Sequence, residues 1–262
     1  MMNAAAEKIA FLRASLARTG LDGLEAHARM PLGHAAADLC LKGGVQKGTL
    51  HEIFPAAAGD EAAASGFAAA LSARVAARKR MLWIRHDFAA LEEGELSALG
   101  LLELGLDPTQ MLLLRAADAG SVLRAAGDAL SCKALGAVVM EIPGTPKILD
   151  LAASRRLVLA SAQTGVTVFL LRPMAEPDAS AAETRWLIRA ACSSDKNENW
   201  GSPLFETDLV RNRHGRTGHW VMEWSCDDGH FRAADSGAVV SAPSDRPAQA
   251  ARKSEGRAPR VA

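Results

Sequence analysis

A chain of 262 residues, 49% apolar and 23% charged, has the material for one substantial α/β core with short appendages. Its formal net charge of +0 removes any global electrostatic drive toward nucleic acid or membrane and leaves that work to local clusters. The four cysteines, Cys40, Cys132, Cys192 and Cys226, form no C-x-x-C pair, which argues against a disulfide framework or a cysteine-built zinc site and fits a reduced cytoplasm.

In chain order, Ile9, Leu12 and Leu16 recur at helical spacing while Lys8, Arg13 and Arg18 take the other faces, so residues 1–19 read as an amphipathic helix. Such a helix either packs on its own domain or docks on a neighbour. It lacks the long apolar stretch of a signal peptide, and no run in the chain is long enough to span a bilayer. Residues 20–48 are turn-rich, with Gly33, Gly43, Gly44 and Gly48, and read as a connecting segment, so the core is expected to begin at Thr49. From there apolar runs at 50–54, 81–85, 111–115, 137–142 and 166–171 alternate with helical patterns at 62–78, 89–104, 119–135, 146–163 and 181–191. That alternation predicts β-α-β units and a mainly parallel sheet. Two extended runs, 204–213 and 219–224, are joined by His214-Gly215-Arg216-Thr217-Gly218 and read as a hairpin added to the sheet edge. The core is expected to close at residue 232, and 233–262, rich in Ala, Ser, Pro and Arg, reads as a disordered tail with a basic bias suited to DNA or an acidic partner.

The strand-turn-helix over residues 49–71 has the layout of a phosphate-binding loop without its chemistry. A working G-x-x-x-x-G-K-[ST] loop aims backbone N–H groups, a lysine and a magnesium-binding hydroxyl at phosphates. Here Ser65-Gly66 precede Phe67 and Ala68, so lysine and hydroxyl are both missing. Counting back, the first glycine position falls on Glu61, beside Asp60, and sets two carboxylates where a triphosphate needs positive charge. These acids also suit the first turn of a helix. Asp87 ends the 81–85 strand region where open α/β sheets place ligand chemistry, and Glu141 ends an apolar strand in the manner of a Walker B acid. Without phosphate co-ligands the two are read as solvated or capping acids rather than a magnesium site. His86 beside Asp87 lacks a G-x-S-x-G serine, which argues against a hydrolase. Arg211, Arg213, His214 and Arg216 form a basic hairpin turn, either simply solvated or able to meet phosphate, a partner's carboxylates or a neighbouring subunit.

Taken together, residues 43–48 leading into Leu50-His51-Glu52-Ile53-Phe54, then Leu82-Trp83-Ile84-Arg85, Val138-Val139-Met140-Glu141, the 211–218 turn and 219–224 resemble the RecA-like fold and, within it, the ImuA family. The resemblance covers 43–224. It implies a RecA-like P-loop NTPase fold with a degenerate Walker A segment, a C-terminal β-hairpin and no cofactor or metal. It also implies a non-enzymatic accessory role in SOS mutagenesis and translesion DNA synthesis, with ImuB, an error-prone C-family DNA polymerase and, in some members, RecA as partners. Direct DNA contact is expected to be weak or indirect, and oligomerisation stays open. Two other readings stand beside this one: an ATPase with an unusual loop, which Phe67 and Ala68 oppose, and a SulA-like inhibitor of cell division, which rests on family naming.

Overall fold

The strands form where β-branched and apolar residues run without interruption. In β6 (Leu135–Glu141) every residue is buried, because the strand lies in the middle of a sheet covered on both faces. A computed structural model describes residues 28–192 and 202–234. It holds a nine-stranded sheet in the order β11-β10-β9-β8-β3-β7-β6-β4-β5. The strands β3 (Leu50–Pro55), β4 (Arg80–His86), β5 (Met111–Ala116), β6, β7 (Thr167–Leu171) and β8 (Thr184–Ala191) are mutually parallel. An antiparallel extension adds β9 (Leu204–Asn212), β10 (Gly218–Ser225) and β11 (His230–Ala233). The chain is thus α/β with a mostly parallel mixed sheet, compatible with a RecA-like arrangement.

Two apolar cores flank the sheet. Helix α2 (Glu61–Ala76), which follows the short α1 (Ala35–Cys40), lies on one face against β3, β6, β7 and β8. Its alanines and serines permit close approach: a Cβ on Gly136 of β6 would stand 2.5 Å from the Ala76 Cα. Its aromatic Phe67 inserts among Trp186, Phe205 and Phe231, with ring centroids 5.6, 5.7 and 5.2 Å away. On the other face lie α5 (Ala119–Ala129) and α6 (Leu151–Thr164). Asp118 and Asp150 cap them by accepting from the Ser121 and Ala153 N–H groups, and Gly165 ends α6 in the left-handed conformation.

Several expectations change. The stretch 181–191, expected as a helix, is strand β8: Thr184, Trp186 and Ile188 bury on one side while Arg185 and Arg189 alternate on the other, a period of two that the flanking alanines mask. The helical run 89–104 divides into α3 (Asp87–Glu93) and α4 (Ala98–Glu103), separated at Gly94, whose φ of 80° ends the first piece. The expected connecting segment 20–48 is described from residue 28. There it forms α1 (Ala35–Cys40) and the strand pair β1 (Arg29–Met30) and β2 (Val45–Gln46). Leu32, Ala37, Leu41 and Val45 bury into the same core as α2, so the core begins before Thr49. The pair is held close by Gly44 at φ 120°, where any Cβ would collide with the Met30 carbonyl. The expected edge hairpin is present as β9 and β10, and β11 buries Phe231 beyond it. The amphipathic start 1–19 and all but the first two residues of the tail 233–262 lie outside the described residues. Among the described residues no helix is long and apolar enough to cross a membrane.

Candidate functional site

The turn from β3 into α2 carries the informative chemistry. Asp60 is the N-cap residue of α2 and Glu61 its first residue. The residues opening the helix, where a phosphate-binding loop sets its Gly-Lys-Ser, are therefore Asp60, Glu61 and Ala62. Ser65, Gly66, Phe67 and Ala68, assigned to those positions from the sequence, lie past the first turn. Ala64 already donates to the Asp60 carbonyl at 2.9 Å, so the N–H groups from Ser65 onward are committed within the helix. Phe67 and Ala68 are fully buried and point into the core, whereas Ser65 and Gly66 line a cavity. The run of alanines on either side of Gly66 concealed this register.

Two of the loop's donors are taken by its own carboxylates, and a third carboxylate bond ties the loop to β8. Asp60 Oδ2 accepts from the Ala57 N–H at 3.1 Å, its Oδ1 from the Ala190 N–H at 3.0 Å, and Glu61 Oε2 from the Gly59 N–H at 2.7 Å. Asp60 is itself buried, with the Arg189 guanidinium 4.0 Å away. An anion approaching this turn meets two carboxylates, which already accept from the Ala57 and Gly59 N–H groups and set negative charge at the opening of α2.

Asp87 and Glu141 have different fates. Asp87 opens α3 half-exposed and accepts from Arg115 Nε at 2.9 Å, while the same guanidinium also pairs with Glu95. Glu141 is not the solvated or capping acid expected: it is fully buried at the end of β6. Its Oε1 accepts from the indole N–H of Trp83 at 2.9 Å. Its Oε2 lies 3.5 Å from Arg85 Nε, and neither atom has a hydrogen-bond partner. Burial pushes the Glu141 carboxyl up to about 7, against the opposing pull of Arg85 and Trp83. Trp83, Arg85 and Glu141 form a cluster that the sequence reading missed. The signal was present: Trp83 and Arg85 share a strand face, and Glu141 ends the neighbouring strand β6. Among the described residues no three His, Cys, Asp or Glu side chains come together as metal ligands would.

A cavity of about 660 Å³ opens between α2 and the α3–α4 segment, above β4. Ala62, Ser65, Gly66 and Ala69 of α2 form one wall, Leu101 and Leu104 the other, with Trp83 and Arg85 beneath. Glu61, Glu92, Glu93 and Glu95 surround it. Burial, with Glu61 adding to it, raises the Glu93 carboxyl against the pull of Arg85.

The hairpin turn is anchored by its backbone, which leaves its cations outward. The Arg213 N–H donates to the Glu183 carbonyl, and the Arg216 carbonyl accepts from Cys40 Sγ and Asn212 Nδ2. Arg213, His214 and Arg216 are exposed, with His214 Nδ1 2.8 Å from Glu183 Oε1. Arg211 stands opposite Arg185, which is tied to buried Glu52 at 2.8 Å. Burial and the like charges of Arg185 and Arg213 lower the Arg211 guanidinium. The turn therefore lies at the open end of β8 and β9, apart from the Asp60–Glu61 loop in the chain and in its contacts.

Against known proteins, no protein-family model matches the chain. Two curated relatives, Protein ImuA from two Caulobacter vibrioides strains (NA1000 / CB15N and ATCC 19089 / CIP 103742 / CB 15), are each 31% identical over 222 residues. The match spans 76% of this chain and 87% of each relative.

Proposed function

The chain belongs to the ImuA family, and on that premise we propose that it is a non-catalytic accessory protein of damage-inducible mutagenesis. In this reading a RecA-like scaffold serves as an adaptor in translesion DNA synthesis, working through contacts with ImuB and an error-prone C-family DNA polymerase, and with RecA as in some members of the family. The observation that carries the non-catalytic part is the pair of carboxylates at the β3–α2 turn: Asp60 and Glu61 stand at the opening of the helix and accept from the Ala57 and Gly59 N–H groups of the loop. Lysine and magnesium-binding hydroxyl are both absent from the opening of α2, where Glu61 and Ala62 stand. The exposed cations of the hairpin, Arg213 and Arg216, are the residues we assign to partner or weak phosphate contact.

Calorimetry with ATP and magnesium, paired with a thermal-shift scan, tests the scaffold. The expected result is no heat of binding and no rise in Tm up to millimolar nucleotide, and micromolar binding refutes it. Deleting the gene and scoring damage-induced mutation tests the role. Mutation at the wild-type frequency in the deletion strain removes the proposal.

A further inference from the structure

The cavity between α2 and the α3–α4 segment combines three properties that define its occupant. Its α2 wall is built from small residues, Ala62, Ser65, Gly66 and Ala69, so an apolar side chain can sit over Trp83. Met174 in its lining and Leu91, Leu99 and Leu102 on the α3–α4 segment that walls it are all more than half exposed, large apolar side chains left without cover. Its lining holds Glu61, Glu92, Glu93 and Glu95 but a single cation, Arg85. Arg85 is only 3% exposed and is paired with Glu141 and Glu93, so the lining presents net negative charge. A fitting ligand is a peptide with apolar side chains and flanking cations.

The geometry points to the chain's own N-terminal segment, residues 8–18, as the peptide that docks in this cavity. Its sequence, Lys8-Ile9-Ala10-Phe11-Leu12-Arg13-Ala14-Ser15-Leu16-Ala17-Arg18, carries three cations and no acid among apolar residues, complementary in charge and polarity to the acidic, leucine-flanked cavity. The tether is long enough. The Pro31 carbonyl accepts from Arg74 of α2, and Ser65 lies nine residues back along that helix, on the order of 14 Å. Residues 19–27 span up to about 30 Å when extended. A tether this short also holds the segment at an effective concentration of roughly millimolar, which favours docking within one chain over docking between chains. The docked segment covers the cavity and brings Lys8, Arg13 and Arg18 to Glu92, Glu93 and Glu95.

Zero-length carbodiimide crosslinking of the full chain, followed by proteolysis and mass spectrometry, tests this, because Lys8 is the only lysine among the first 27 residues. Lys8 is expected to join Glu92, Glu93 or Glu95 in monomeric protein. Phe11→Ser and Ser65→Trp each leave every crosslinkable group in place. Both are expected to lower the yield by about tenfold, equivalent to about 1.4 kcal/mol of docking. Hydrogen exchange should show the amides of 9–17 losing protection in the same variants. Phe11→Ser keeps the test valid if Ser65→Trp misfolds. Unchanged crosslinks in Phe11→Ser, crosslinks confined to other carboxylates, or crosslinks found only between isotopically distinct copies overturn the inference.

Discussion

Replacing Glu141 by Gln should flatten part of the protein's pH–stability profile. The carboxyl moves from an ordinary 4.5 to about 7 in the fold, so the native state holds that proton more tightly than the unfolded chain. Between those values the native state binds more protons, and stability falls as pH rises through the window, levelling off above about 7. At about 1.4 kcal/mol per tenfold in proton affinity, the loss between pH 5 and pH 8 is on the order of 2–3 kcal/mol. Gln keeps an oxygen for the Trp83 indole and cannot titrate, so the substitution removes this slope while adding a constant offset. Fully buried His51, pushed down to about 4, acts in the opposite sense: its stabilisation is present above 6.5 and is lost as pH falls toward about 4. Both proteins share that contribution, so it cancels in the difference. Urea unfolding at pH 5, 6, 7 and 8, with m held constant, reads the difference directly. Profiles that run parallel within about 0.5 kcal/mol would refute the assignment of a buried, proton-holding carboxyl.

Three further substitutions probe other parts of the structure. Phe67→Ala removes a fully buried ring packed on Trp186, Phe205 and Phe231 and should cost about 3–5 kcal/mol in chemical denaturation; a loss below about 1 kcal/mol would mean that the ring faces solvent, as a phosphate-loop position would. Asp60→Ala strips the acceptors from the Ala57 and Ala190 N–H groups and should cost about 1–3 kcal/mol without creating ATP affinity, since Glu61 remains on Gly59; calorimetric ATP binding by this variant would contradict the self-occupied turn. Arg185→Ala leaves Glu52 buried without its guanidinium and should cost about 3–5 kcal/mol, measured by guanidinium unfolding at pH 7.

The parallel strands were legible because burial on both faces demands continuous apolar runs, and Val138-Val139-Met140 supplies one. The hairpin was legible for a similar reason, with a turn of Gly and polar residues between two β-rich runs. The turn after β3 was legible in kind and wrong in register. Ala62, Ala63 and Ala64 begin a helix as readily as they continue a loop, and only the Asp60 carbonyl accepting from Ala64 fixes the start. Strand β8 misled because Ala181, Ala182, Ala190 and Ala191 bracket it with helix formers, while its pairing with β3 is a long-range fact. The 28–48 stretch looked like a linker from its glycines, yet those glycines permit close backbone approach: a Cβ on Gly33 would lie 2.6 Å from the Phe231 carbonyl, far away in sequence. Arg85 and Glu141 come together only when β4 and β6 pair, so their cluster required the sheet order.

The indole N–H of Trp224, on β10, donates to the Leu104 carbonyl at 2.8 Å, and Gly105 leaves no room for a side chain against the Cys226 backbone. The far wall of the cavity is therefore bolted to the hairpin that carries Arg213 and Arg216 at its turn. The cavity wall and the hairpin are joined at Leu104–Trp224 and Gly105–Cys226, at the end of β10 remote from the turn.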